Sequence, residues 1–266
     1  MHAVLCLPAP GGCDFRRRRR STGCNGRDDA NFAADHGPGW VQQPDDGEPA
    51  GRQVGDHRHL RHEPDTGGVW VAGLQKALNT QFGDRAKVIN SGMSGCNSAD
   101  GVRELDYRVL RNKPDMVFIE FAINDCVLRF NISQEAARKN LETMIDRILA
   151  ANPQADIVLM TMNLPVGGEF TGKRTEFVAY YEMYRQVARE RRLFLIDNCV
   201  NWKYLQDENL AKYSYTWVRD GVHPTGEAQL KVTLPAILAA LALEPPAGAT
   251  QAENARPGPT TEKSGS

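Results

Sequence analysis

The sequence lacks the features of a membrane-spanning or nucleic-acid-binding protein. None of its apolar runs approaches the roughly 20 residues that a transmembrane helix needs. The 266 residues carry a formal net charge of -1, so no overall field favours nucleic acid or a membrane surface. We therefore expect no nucleic-acid partner and no membrane span.

Cysteines are few and form no recognisable framework. Six are present, and half of them come before residue 25, in a segment without the pattern of a folded core. The rest of the chain holds Cys96, Cys126 and Cys199, an odd number without the spacing of a metal site. This argues against a disulfide framework and leaves the redox compartment open.

Residues 1–66 lack the apolar periodicity of a folded domain. Arginine, aspartate, glycine, proline and histidine dominate them. The run Arg16–Arg20 suits a nucleic-acid or targeting patch, or a solvated arm, and we favour the arm. The short apolar start does not match a secretory signal. We expect a disordered or non-native segment. The cellular compartment stays open: secreted or periplasmic if the true N-terminus differs, and otherwise cytoplasmic.

From Gly67 onward, strand and helix patterns alternate along the chain. Helices are predicted over about 69–82, 99–111, 134–151, 175–192 and 226–241, the last with a kink at Pro235. Strands are predicted at 88–89, 116–122, 157–160 and 193–196, whereas 199–219 is predicted to be irregular. This alternation predicts one α/β domain over 67–243, with a parallel sheet whose ligands bind at the carboxyl ends of the strands. The composition of 244–266 predicts a disordered tail.

The segment Asp220-Gly221-Val222-His223-Pro224 carries a candidate acid–base pair. Pro224 disfavours α conformation at His223, so the histidine lies on an extended turn, and Thr225 can cap the helix that follows. On such a turn, Asp220 can accept the Nδ1 proton of His223 and leave Nε2 free as a general base. Taken alone, the same residues also fit an ordinary surface loop.

Three segments together resemble the sequence blocks of the SGNH hydrolases, also called the GDSL esterase and lipase family. Asn90 to Ser98 looks like the glycine block, with Gly95 as the matching residue. Ala122-Ile123-Asn124-Asp125 looks like the asparagine block, with Ala122 in place of the usual glycine. Asp220 to Pro224 looks like the final Asp-x-x-His block. The resemblance covers about 67–241 and implies a three-layer α/β/α fold of the flavodoxin-like SGNH type, with a central parallel sheet.

The resemblance also implies a reaction and a role for each matching residue. The family hydrolyses acyl esters. By resemblance, the expected substrate is a small acyl ester, such as an acetyl group on carbohydrate. Gly95, through its backbone N–H, and Asn124, through its amide, would form the oxyanion hole. His223 would be the general base, oriented by Asp220. No metal and no cofactor is implied, and the expected partner is a small-molecule ester.

The family's nucleophilic serine is missing from its expected place before the helix at 69–82. Residues 50–66 contain no serine, and Gly55-Asp56-His57 imitates only the first two letters of the first block. Ser94 is a conceivable substitute. A shifted reading of codons 56–65 permits Thr-Ile-Ala-Thr-Tyr-Gly-Thr-Ser-Leu-Thr, a β-rich run followed by a glycine turn and a serine. We therefore expect the nucleophile near Glu63 and interpret 1–66 as a reading-frame artefact.

Other interpretations of these residues stay open at this point. The missing serine suits a catalytically inactive relative that binds acyl or carbohydrate ligands in the same cleft. Asp220 and His223 could instead be metal ligands of a phosphoesterase. Cys96 and Cys126 could form a redox or metal pair, but small buried hydrophobes fit them better. The aromatic residues of 202–217 could line a ligand wall or pack beneath a long loop.

Overall fold

A computed structural model describes the backbone of Val4–Pro8 and residues 68–167, 172–174 and 176–243. Its strands are β1 (Val4–Pro8), β2 (Ala86–Asn90), β3 (Met116–Ile119), β4 (Asp156–Thr161) and β5 (Phe194–Asp197). The main helices are α1 (Val69–Phe82), α2 (Ser98–Arg108), α3 (Ala122–Asp125), α4 (Gln134–Ala151), α5 (Phe177–Arg191), α6 (Asn198–Glu208), α7 (Leu210–Lys212), α8 (Gly226–Ala228) and α9 (Leu234–Ala240).

The strands form one five-stranded sheet in the order β2-β1-β3-β4-β5. β3, β4 and β5 pair in parallel, as the alternation of strands and helices predicted. β1 pairs antiparallel with both neighbours, and Val4 lies opposite Asn90 on one side and Phe118 on the other. β2 therefore points the same way as β3, and only β1, the second strand of the order, is reversed.

The strand Val4–Pro8 corrects one expectation. The sequence predicted no strand within 1–66, whereas β1 is a strand and runs against the other four, which all point the same way. Five residues are too few for periodicity to distinguish a buried strand from an isolated apolar run. The remainder of 1–66, including Glu63, lies outside the described residues, as does the tail 244–266.

Helices cover both faces of the sheet, which gives the predicted three-layer α/β/α fold. On one face, α2, α4 and α5 bury a core that includes Leu105, Leu141 and Tyr184 against sheet residues such as Val117 and Leu159. On the other face, α1 places the Trp70 ring edge-on to the ring of Phe118, with 5.9 Å between the centroids. Alternate side chains of β3 thus enter different layers, because successive residues of a strand face opposite sides.

Capping side chains fix where several helices begin. Ser133 accepts the backbone N–H of Ala136 at the start of α4, and Thr225 accepts the N–H of Ala228 at the start of α8. Both caps were predicted from the sequence. Asn97 begins α2 with a reciprocal box, in which its own side chain accepts the N–H of Asp100 while its backbone N–H donates to that carboxylate.

Three segments differ from their predicted structure. The strand predicted over 116–122 ends at Ile119, since the N–H of Phe121 donates to the Tyr184 hydroxyl (3.0 Å) rather than to a neighbouring strand. Residues 199–217, predicted to be irregular, form α6, α7 and a π-helical turn, whose weak signal reflects how few apolar side chains they bury. The last helix is interrupted by a π-helical turn, Gln229–Thr233, just before Pro235, whose missing N–H cannot continue a regular ladder.

Candidate active site

The side chains of Asp220 and His223 form a hydrogen-bonded pair on the turn before α8. Nδ1 of His223 lies 2.6 Å from Oδ2 of Asp220. The other carboxylate oxygen accepts the backbone N–H groups of Val222 (2.9 Å) and His223 (2.7 Å). Burial raises the pKa of Asp220, but these hydrogen bonds outweigh it and hold the pKa below its ordinary value. The carboxylate is therefore ionised and oriented toward the imidazole at neutral pH.

Gly221 allows this turn to lie against the end of β4. Its φ is +83°, and a Cβ at this position would lie 2.2 Å from the carbonyl oxygen of Gly167. The Gly221 carbonyl accepts the N–H of Val166 (2.8 Å). The Asn163 amide donates to the carbonyl of Val222 (2.9 Å). Side chains and backbone of the segment after β4 thus fix the position of the Asp220–His223 pair.

Gly95 lies in the loop between β2 and α2, with a φ of +68° that favours glycine. The carbonyl of the next residue, Cys96, accepts a hydrogen bond from the Asn124 amide (2.9 Å). Asp125 accepts the backbone N–H of Ser98 (2.7 Å) at the start of α2. Two adjacent side chains of α3 therefore tie the glycine loop to the carboxyl end of β3.

Gly95, Asn124 and His223 line one cavity of about 370 Å³ at the carboxyl edge of the sheet. Asp220 is not among its lining residues, but its carboxylate contacts the imidazole of His223. The structure thus brings the four predicted residues into one site, with Asp220 in contact with the imidazole. Glu63, where the nucleophile was expected, lies outside the described residues.

The serines of the glycine block have different surroundings. Ser94 lines the cavity, whereas the hydroxyl of Ser91 donates to the Arg108 carbonyl (2.8 Å) and that of Ser98 accepts from the Asn140 amide (2.9 Å). Ser91 and Ser98 therefore have structural partners away from His223. Of the three, only Ser94 lines this cavity.

Two buried charged residues of the cavity were not predicted from the sequence. Glu120 follows β3 and is buried, and its burial raises the pKa of its carboxyl. It was hidden within the apolar run 116–122. Arg174 precedes α5 and is also buried. Its polar, glycine-containing segment gave no sign of a buried cation, so only a structure could identify it.

The cysteines and aromatic residues near the site have mixed surroundings. Cys96, Cys126 and Cys199 are free thiols, and burial raises the pKa of Cys126 to about 12. Trp202 is buried, packs edge-on against Tyr213 and also lines the cavity. Trp202 therefore fits both alternatives for the aromatic segment, because it packs in the core and also lines the cavity.

Within the described residues, no three His, Cys, Asp or Glu side chains are grouped as metal ligands. None of the helices in this part of the chain combines the length and the hydrophobicity of a membrane span.

Comparisons with known proteins converge on one family. The GDSL-like Lipase/Acylhydrolase family matches residues 50–230. Thioesterase 1/protease 1/lysophospholipase L1 of Escherichia coli (strain K12) is 25% identical over 177 residues, which are 66% of this chain and 76% of that protein. The Vibrio mimicus arylesterase is 28% identical over 161 residues, which are 60% of this chain and 72% of that protein.

Solved structures of esterases share the fold. Axe2, an acetylxylan esterase from Geobacillus stearothermophilus, superimposes with a TM-score of 0.56 at 21% identity, over 70% of this chain and 89% of Axe2. LAE5, an alpha/beta hydrolase from the metagenome of Lake Arreo, gives a TM-score of 0.53 at 23% identity, over 65% of this chain and 81% of LAE5. At these identities the similarity concerns the fold alone.

Proposed function

The chain belongs to the GDSL-like lipase/acylhydrolase family, and from this premise we propose that it is an ester hydrolase with an Asp220–His223 pair as its base. The observation that carries the proposal is the 2.6 Å contact between Nδ1 of His223 and Asp220, with His223 on the same cavity as Asn124 and Gly95. A histidine whose Nδ1–H is held by a carboxylate presents Nε2 as a general base.

The oxyanion donors in this proposal are the Asn124 amide and the Gly95 backbone N–H. The Asn124 amide nitrogen carries two hydrogens, and one of them is used by the Cys96 carbonyl. The second is left for the carbonyl oxygen of an ester in the cavity. Ester cleavage places negative charge on that oxygen, and donors fixed in advance stabilise the charge without reorganisation.

The proposed mechanism has a nucleophile only if the sequence before about residue 67 is corrected. The four strands that point the same way leave one interior position, between β2 and β3, which the reversed β1 fills. A parallel strand there would end at the cavity and lead directly into α1, whose Trp70 lines that cavity. We propose that residues up to about 66 are out of frame and that the native chain carries a serine at the position now written Glu63. Sequencing the gene decides this: a stop codon in the shifted frame, or an asparagine codon there, refutes it.

The proposed substrate is a small acyl ester, such as an acetyl ester. Support comes from the family and from relatives named as a thioesterase and an arylesterase. A cavity of about 370 Å³ also suits a small ligand.

Hydrolysis of p-nitrophenyl acetate tests the proposal in two chains, the sequence as written and a version with the restored first block. We expect turnover in the restored chain and near-background rates in the written one. His223→Ala and Asp220→Asn should each remove most of the restored activity, whereas the exposed Asp207→Asn should not change it. Undiminished turnover in His223→Ala would refute the assignment of the base.

A second candidate is a non-catalytic relative that binds acyl or carbohydrate ligands in the cavity. It is favoured by the absence of serine from residues 50–66. If the written reading frame is native and the chain binds such ligands without hydrolysing esters, this candidate replaces the first.

A further inference from the structure

Arg174 is a buried cation that lies beside the proposed oxyanion donor. It precedes α5, lines the cavity and is only 7% exposed. Burial lowers the pKa of its guanidinium, and the negative charge of Asp220 is among the influences that raise it. An arginine nevertheless keeps its charge in proteins, so a full positive charge is held at the cavity wall.

The guanidinium contacts α3 at two neighbouring oxygens. Its Nε donates to the carbonyl of Ile123 at 3.1 Å. Its Nη2 lies 3.5 Å from Oδ1 of Asn124, a long hydrogen bond that the charge strengthens. Arg174 therefore holds both the backbone that carries Asn124 and the oxygen end of its side chain.

The amide of Asn124 is fixed from both ends. Its oxygen faces the Arg174 guanidinium, and its nitrogen donates to the Cys96 carbonyl at 2.9 Å. A rotation by 180° would place the NH₂ group against a cation and the amide oxygen against a carbonyl oxygen. Both contacts would be repulsive, so only one orientation is stable, and it determines where the second N–H of the amide points.

We propose that Arg174 is a positioning residue that fixes the Asn124 amide with its N–H₂ group toward the cavity. The inference rests on the proposed function for its catalytic meaning. The neighbouring charge also draws electron density toward the amide oxygen, which makes the N–H₂ group a stronger donor to a developing oxyanion.

A spectroscopic experiment tests the positioning without requiring activity. Protein labelled with nitrogen-15 at asparagine gives side-chain NH₂ signals, and the Asn124 pair is identified by its loss in Asn124→Asp. We expect the two Asn124 hydrogens to have well-separated chemical shifts in the wild type. In Arg174→Met the pair should collapse toward the shifts of an exposed asparagine, whereas Arg174→Lys should retain part of the separation.

Arg147→Met is the matched control. Arg147 also donates to a backbone carbonyl, that of Val102 (2.7 Å), but this contact lies between α2 and α4. We expect the Asn124 signals to be unchanged in this variant. If they stay unchanged in Arg174→Met as well, with the fold intact by circular dichroism, the proposal is wrong. If Arg174→Met does not fold, Arg174→Lys decides by the same comparison.

Kinetics of the chain with the restored first block provide a second test of the positioning role. Arg174→Met should lower kcat by about 10- to 100-fold with little change in KM, less than the loss of the donor itself. Arg174→Lys should recover part of kcat, and Arg147→Met should match the wild type. An Arg174→Met effect confined to KM would contradict the positioning role. If no chain hydrolyses esters, the proposed function fails, but the Asn124 spectra still decide how Arg174 acts.

Discussion

Replacing Asp125 by asparagine should make stability less dependent on pH. Asp125 is 1% exposed, and burial raises its pKa from 3.8 to about 7 despite the hydrogen bonds that it accepts from Ser98. Its Oδ2 has no hydrogen-bond partner among the described residues. The folded protein therefore holds a proton on this carboxyl in a pH range where the unfolded chain has released it.

The sign and size of the effect follow from proton linkage. Below pH 3.8 both states are protonated, so the carboxyl adds no pH dependence. As the pH rises from there to about 7, the free energy of unfolding falls, and above pH 7 it levels off. Since one pKa unit corresponds to about 1.4 kcal/mol, the total loss is about 4 kcal/mol. Of this, about 3 kcal/mol falls between roughly pH 4.5 and pH 8.

The asparagine side chain in Asp125→Asn would keep an oxygen to accept the Ser98 N–H but would not titrate. We therefore expect the stability of this variant relative to wild type to improve by about 3 kcal/mol from roughly pH 4.5 to pH 8, whatever its fixed cost. Urea unfolding followed by tryptophan fluorescence measures this difference, with the exposed Asp207→Asn as a control for the loss of one carboxylate. If the difference is the same at both pH values, Asp125 is not protonated in the neutral folded protein.

Three further substitutions test the site and its supports. In the chain with the restored first block, Asn124→Ala should lower kcat on the order of 100- to 1,000-fold without a matching rise in KM; an unchanged kcat assigns Asn124 to loop structure. Gly221→Ala should destabilise the fold by about 1–3 kcal/mol in thermal unfolding, because its Cβ would overlap the Gly167 carbonyl oxygen at a φ of +83°. Tyr184→Phe should cost about 1–3 kcal/mol in urea unfolding, since it leaves the N–H of Phe121 buried without its acceptor; an unaltered midpoint contradicts this.

The sequence was sufficient for the features that depend on local chemistry. The spacing of apolar residues predicted α1 and α2, and Ser133 and Thr225 were recognised as caps because their hydroxyls directly precede predicted helices. The Asp220–His223 contact was also accessible, because three residues and a following proline restrict the turn between them.

The features that depend on long-range contacts could not be predicted. The end of β3 depends on the hydroxyl of Tyr184, a residue 63 positions away in the sequence. Arg174 reaches Asn124 across 50 positions, and nothing in its own segment indicates a buried partner. The reversed direction of β1 depends on which strands flank it, and its five residues carry no information about direction.

The carbonyl of Gly221 and the N–H of Val166 join the histidine turn to the segment after β4. The amide of Asn163 adds a second link, to the carbonyl of Val222. The histidine turn cannot swing away from the sheet without breaking both links, so the two segments should open as one cooperative unit. In amide hydrogen–deuterium exchange, the N–H of Val166, which donates to the Gly221 carbonyl, should therefore exchange only when both segments open, and a fast-exchanging Val166 would show that the histidine turn moves on its own.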